Sequence, residues 1–318
     1  MRELFSAGGL GRLTGEVLFF HRLPCINFPR QPYGSVVIHR SIPLAFTKFQ
    51  PAISKEGKLP LVDHPVIILH GLFGSKLNWQ SIAKVLRDKL TQTVITVDAR
   101  NHGENPHDDV HSYEVMSEDV EELMEKLNLP SAVLIGHSMG GKAAMCLALR
   151  QKPNMIDALI VVDAAPSSSP GKAFFQQNIA AMKAFEFRPN ESLPQARNRA
   201  NKELEVNISD MMVRQFILTN LVQNGDKVSW RVNLDAIERH IEDIMEFPVF
   251  HNSYNGPTLF IAGGNSKYIT SEEKPEIKRL FPKSVIETVP DAGHWVHSEK
   301  PTQVVELIVE FLKNKDDH

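Results

Sequence analysis

Residues 132–141 read Ala132-Val133-Leu134-Ile135-Gly136-His137-Ser138-Met139-Gly140-Gly141, and a small-residue stretch, Lys142-Ala-Ala-Met-Cys-Leu-Ala-Leu149, follows. A β-branched apolar run enters Gly-x-Ser-x-Gly, and a helix-forming segment leaves it. In that context the pentapeptide is a nucleophile elbow, a sharp strand-to-helix turn that lifts a serine hydroxyl above a sheet. Glycine at 136 and 140 lets the backbone on either side close in. The helix that starts after Ser138 aims free backbone N–H groups and a positive dipole end at the same point.

Working outward, short buried-strand runs alternate with helical spacing. Ser35–His39 and Leu44–Gln50 predict two opening strands joined as a hairpin around Arg40–Pro43. Val66–Leu69 and Val94–Val97 are apolar strands flanking a helix over Trp79–Leu90, and Met116–Leu127 is a further helix. Ala158–Val162, Thr258–Ala262 and Val285–Val289 continue the strand series, and Pro301–Lys313 closes it as a helix. Such runs predict a mostly parallel α/β sheet covered on both faces. The alternation breaks between Ala165 and Gly256. Pro166-Ser-Ser-Ser-Pro170 marks an exit, Asn255-Gly256-Pro257 a return, and the residues between them read as helical. Residues 166–256 are therefore expected to form an inserted helical cap on a core of 33–165 and 257–318. A minority of its Phe and Met residues would line an acyl pocket.

A serine hydroxyl is a weak nucleophile without a base. Of 13 histidines, His294 has the fitting position: it follows the last strand in Val289-Pro-Asp-Ala-Gly-His294-Trp295, from which a loop reaches back to the elbow. His297, nearby, is expected to face the last helix. After such an elbow the acid precedes the histidine in the chain. The loop after Thr258–Ala262 reads Gly263-Gly-Asn-Ser-Lys-Tyr268 and holds no carboxylate. Asp163, ending Ile160-Val-Val-Asp163, is the first candidate acid, and Asp235, in the insert, is the second. Asp291 reads as a turn residue, and Ser266 as a hydrogen-bonding aide. Two backbone N–H groups should face the developing oxyanion. One belongs to Met139; the other is assigned to Leu72, with its neighbour Phe73 as the alternative, in His70-Gly-Leu-Phe-Gly74. His70 and His137 read as structural hydrogen-bonders. Asp98 and Arg100 read as partners in ion pairs that hold the rim.

Composition excludes several classes. A net charge of −3, with no basic run carrying interleaved aromatics, argues against nucleic acid. No apolar stretch approaches the ~18 residues of a membrane span. Two cysteines, Cys25 and Cys146, make no disulfide framework, and Cys146 reads as a small buried hydrophobe. No metal-ligand spacing or phosphate loop is present, so no cofactor is expected. Residues 1–40 carry Arg2, Arg12, Arg22, Arg30 and Arg40 against Glu3 and Glu16, with apolar residues at helical spacing. That pattern reads as a transit segment over about 1–32, and hence as a mitochondrial, matrix location.

Together, His70-Gly-Leu-Phe-Gly74, Asp98-Ala-Arg-Asn-His-Gly103, the elbow and Gly293-His294…Glu299-Lys-Pro301 resemble the α/β-hydrolase superfamily over residues 33–318. The missing carboxylate at 265–267, with Asp163-Ala-Ala-Pro166 present, resembles a narrower branch of small bacterial acyl esterases and a mitochondrial group. The resemblance implies an eight-stranded sheet and a metal-free serine hydrolase of acyl esters. It further implies diacylglycerol lipase activity and association with the lipoylated 2-oxoacid (2-oxoglutarate) dehydrogenase machinery. Two other readings share the fold. One is a catalytically silent hydrolase fold that binds or protects a partner enzyme complex; the other is cofactor-free oxidative chemistry with the same serine and histidine.

Overall fold

The computed structural model describes residues 41–51, 60–150, 152 and 154–315. The transit-like segment, the expected strand Ser35–His39 and Cys25 lie outside them. The main sheet is built from β1 (Phe46–Phe49), β2 (Val66–Leu69), β3 (Val94–Val97), β4 (Ala132–His137), β5 (Ile156–Val162), and two later strands defined below. Helices α1 (Gln80–Leu90), α2 (Tyr113–Lys126) and α3 (Met139–Leu149) connect them. Between β5 and the return to the sheet come α4 (Lys172–Ala184), α5 (Leu193–Glu203), α6 (Met211–Leu218), a hairpin of β6 (Leu221–Asn224) and β7 (Lys227–Trp230), α7 (Leu234–Arg239) and α8 (Ile241–Met245). The chain then forms β8 (Thr258–Gly263), α9 (Lys274–Leu280), β9 (Ser284–Val289), α10 (Val296–Glu299) and α11 (Pro301–Lys313).

Among the described residues the main sheet has seven strands in the order β1-β3-β2-β4-β5-β8-β9. Only β1 is antiparallel to its neighbour. The central strands are buried along their whole length, as Val66–Leu69 and Val94–Val97 require: every side chain on either face meets a helix. One core lies under α1 and α11, with Trp79, Leu86 and Ile308; the other lies under α2 and α3 and continues into the insert through Phe175, Met182 and Ile217. No described helix is long and apolar enough to cross a membrane.

The insert differs from the helical expectation at one place. Leu221–Trp230 forms a two-stranded hairpin, turning at Gly225 with φ +59°. Asn224-Gly225 is a hairpin-turn dipeptide in its own right.

Candidate active site

The elbow places Ser138 at φ 51° and ψ −118°, a strained conformation for any residue with a Cβ. The surroundings enforce it. A Cβ on Gly136 would lie 2.3 Å from the Gly140 carbonyl oxygen, and one on Gly140 would lie 2.6 Å from the Leu69 and His70 carbonyl oxygens. Only glycine lets the first turn of α3 sit this close to the ends of β2 and β4. The first N–H groups of α3, Met139 included, have no carbonyl four residues back within the helix and point toward the serine.

Ser138 Oγ lies 3.0 Å from His294 Nε2, and His294 Nδ1 lies 2.8 Å from Asp163 Oδ2. A carboxylate only accepts, so Nδ1 carries the proton and Nε2 presents its lone pair to the serine hydroxyl. Asp163 sits at the end of β5, fully buried, with φ +48°. Gly263 N–H donates to its Oδ1 at 3.0 Å, and the Ser266 hydroxyl donates to its Oδ2. Asp235 is elsewhere: it lies on α7, its side chain 75% exposed, paired with Lys183 at 2.7 Å. Asp291 is an exposed residue at φ +58°, as a turn demands.

The imidazole of His294 is held from several sides. Tyr268 stacks on its face, ring centroids 3.8 Å apart and planes 13° from parallel. His137 Nε2–H donates to the His294 carbonyl oxygen at 3.0 Å, tying the histidine loop to the residue before Ser138. Glu299 accepts from the Gly293 N–H at 2.7 Å and braces the same loop from α10. Burial, reinforced by neighbouring His297 and His294, pushes the His137 pKa well below its ordinary value and keeps it neutral. His297 stacks on Trp79 at 4.3 Å, 5° from parallel, and burial lowers its pKa to about 3. It makes no contact with Ser138 in this network.

The rim is held by charge. Asp98 is buried, and burial works against its charge. Its bonds to the Lys76 ammonium, at 2.5 Å, and to the Lys76 and Glu104 N–H groups outweigh that cost and hold the carboxyl below its usual range. Arg100 grips Asp119 with two parallel bonds of 2.7 Å. His70 donates to the Gly71 carbonyl at 2.8 Å and accepts from the Ala99 N–H at 2.9 Å, so its role is structural. Phe73 has φ +62°, and its N–H is taken up by His102 Nε2 at 3.1 Å. Cys146 is fully buried, its thiol pushed up to about 12 by burial.

Above Ser138 opens a cleft of about 350 Å³, counting its mouth. Leu72, Phe73, Phe174, Phe175, Val213, Phe216, Ile217 and Trp295 give it apolar walls, and α4 and α6 of the insert supply five of these eight. Asn178 and Tyr268 were not predicted from sequence, and His137, expected as a structural hydrogen-bonder, has the His294 carbonyl as its partner. Among the described residues no group of histidines, cysteines and carboxylates is arranged to hold a metal ion.

A family model for the alpha/beta hydrolase fold matches residues 64–301. The chain belongs to the α/β-hydrolase family. It is 45% identical over 273 residues to the sn-1-specific diacylglycerol lipase ABHD11 of Mus musculus, covering 86% of each chain. It is 32% identical over 252 residues to esterase YbfF of Escherichia coli, covering 79% of this chain and 94% of that one. The solved structure of a marine microorganism esterase superposes with a TM-score of 0.76 at 36% identity, over 85% of this chain and all (100%) of the other.

Proposed function

We propose that this chain is a serine hydrolase of acyl esters, with Ser138 as nucleophile, His294 as base and Asp163 as orienting acid. The observation that carries the reading is the unbroken line Ser138 Oγ–His294 Nε2, His294 Nδ1–Asp163 Oδ2 at the foot of an apolar cleft. In the forward step Ser138 Oγ attacks the ester carbonyl carbon while its proton passes to His294 Nε2. Asp163 stabilises the imidazolium that results and stays ionised itself. Charge on the former carbonyl oxygen faces the N–H groups of Met139 and Leu72, each worth ~3 kcal/mol of transition-state stabilisation. Leu72 is favoured over Phe73 because the Phe73 N–H is already bound to His102. His294 then protonates the departing alcohol. A water, deprotonated by His294, releases the acid from the acyl-enzyme.

Residues 166–256 act in this reading as a cap on the 33–165 and 257–318 core, and their phenylalanines form the acyl wall. Similarity to the mouse lipase points to acylglycerols, diacylglycerol among them, as substrates. A mitochondrial location rests on the composition of residues 1–32, and fusion of residues 1–35 to a reporter tests it. Association with 2-oxoacid dehydrogenase machinery rests on the family resemblance alone.

The deciding experiment measures acyl release from a chain-length series of p-nitrophenyl esters and from diacylglycerol, wild type beside Ser138→Ala, together with fluorophosphonate labelling. Release and labelling by wild type only are expected. Neither, with both proteins folded, overturns the proposal and leaves a binding role for the fold.

A further inference from the structure

The cleft above Ser138 contains one polar side chain that neither the catalytic line nor its bracing uses. Asn178, on α4, lines the cleft among Phe174, Phe175, Val213 and Ile217 and is only 2% exposed. Its side-chain amide has no hydrogen-bond partner among the described residues, whereas the comparably buried Asn105 and Asn220 both donate to backbone carbonyls. Neither amide atom is among the fully enclosed unpartnered polar atoms of the described residues, so the amide is open to whatever occupies the cleft it lines. A leucine would satisfy the apolar walls at similar volume. The amide, able to donate and accept, is useful only to something that enters the cleft.

We propose that the Asn178 amide binds a free hydroxyl on the alcohol portion of the substrate, so that the preferred esters are partial acylglycerols rather than fully esterified glycerol or simple alkyl esters. This rests on the ester-hydrolase reading. Ser138, His294 and Asn178 line the same small cleft. A polar group able to reach Asn178 from inside it therefore lies a few bonds from the reacting ester. In a diacylglycerol the remaining hydroxyl is two carbons from the nearest ester oxygen. It donates to Asn178 Oδ1 or accepts from Nδ2, and the acyl chain keeps the aromatic walls. A site built around such a bond penalises the analogue that lacks it, because the amide is then desolvated for nothing.

The test uses three diesters that share the same reacting ester, each below its aggregation concentration: 1,2-dioctanoylglycerol, its 3-O-methyl ether and 1,2-propanediol dioctanoate. Wild type is expected to show kcat/KM some ten- to a hundredfold higher for the hydroxyl compound than for the propanediol diester. The methyl ether, which only accepts, is expected to fall between. In Asn178→Leu the three values converge to within about twofold, and Asn178→Ser keeps part of the preference. Equal wild-type values, or a preference that survives Asn178→Leu, overturn this inference and leave the hydrolase reading standing. A preference for a hydroxyl on the acyl chain, read with 3-hydroxyoctanoyl esters, overturns the assignment to the alcohol. If wild type cleaves none of the three and no fluorophosphonate adduct forms at Ser138, the hydrolase reading fails and this inference with it. The wild-type comparison needs no variant to fold.

Discussion

His297→Phe separates the cost of a buried neutral histidine from every other contribution to stability. His297 is 6% exposed, stacked on Trp79, and its Nδ1 has no partner among the described residues. Burial, with His294 adding to it, lowers its pKa from the ordinary 6.5 to about 3. In the unfolded chain the ring takes up a proton as pH falls through 6.5, whereas in the folded chain it does not until about 3. The unfolded state therefore binds more protons across that window. Stability is complete above pH 6.5 and is lost progressively as pH falls toward 3. At about 1.4 kcal/mol per pH unit, one such histidine removes between 1 and 2 kcal/mol by pH ~5.5 and roughly 3 kcal/mol by pH ~4.5. Phenylalanine keeps the stack and has no proton to bind. Urea unfolding of both proteins at pH 7.5, 5.5 and 4.5 measures the difference. The larger ring can cost about 1–3 kcal/mol by overpacking, but that offset is the same at every pH. Wild type should lose roughly 3 kcal/mol more than the variant between the extremes. Buried His70, His102 and His111 are common to both proteins and cancel, and His137, which packs on the ring at 297, stays desolvated by burial, the larger cause of its lowered pKa. Equal slopes refute the reasoning, because they mean that the ring titrates as freely folded as unfolded.

Asp163→Asn should retain the fold and lower kcat about 10⁴-fold, since the amide can donate to Nδ1 and favour the wrong tautomer; steady-state ester hydrolysis reads it, and a loss under tenfold would move the acid elsewhere. Tyr268→Leu removes the π-face on which the imidazolium forms, so kcat should fall roughly three- to thirtyfold. Tyr268→Phe should restore it, and an equal loss in both variants would assign the effect to the hydroxyl instead. Gly136→Ala puts a Cβ 2.3 Å from the Gly140 oxygen. It should abolish fluorophosphonate labelling and lower the melting temperature by several degrees; labelling at the wild-type rate would show that the elbow relaxes.

Legibility in the sequence followed burial. Val66–Leu69 and Val94–Val97 form strands over the residues expected of them, because a strand covered on both faces is apolar throughout and stops where its covering stops. The helix expected from Met116 starts at Tyr113, after Ser112, because its first turn is anchored by tertiary contact: the Tyr113 hydroxyl donates to the Ile244 carbonyl oxygen of the insert. The hairpin at Leu221–Trp230 escaped notice because its strands are short and half exposed, so apolar residues are too few to set a period of two. At the site, side chains carried by strand ends and the elbow could be located from their flanking runs. Residues that act through space could not. Tyr268 meets His294 and His137 meets the His294 carbonyl across gaps in the chain that carry no periodic signal. Asn178 looks like any other polar residue on an amphipathic helix until α4 is seen to turn that face into the cleft.

The empty position after β8 has a physical explanation in the same geometry. In the sheet order, β5 lies between β4 and β8, so a carboxylate at its end is one strand from Ser138 and one from the loop after β8. Asp163 occupies that place, and the loop turns toward it as a donor: Gly263 through its N–H and Ser266 through its hydroxyl. The backbone just beyond is committed too, since Gly264 N–H and Asn265 N–H bond to the Val289 and Ala292 carbonyls that lead into the histidine loop. A carboxylate at 266 would replace a donor with a second negative charge against Asp163, and two such groups cannot both stay ionised at hydrogen-bonding distance. One would take up a proton and could compete with Nδ1–H for the other. The acid on β5 and the absence of an acid after β8 are thus one arrangement. Moving the carboxylate one strand earlier requires the later loop to supply hydrogen-bond donors in its place.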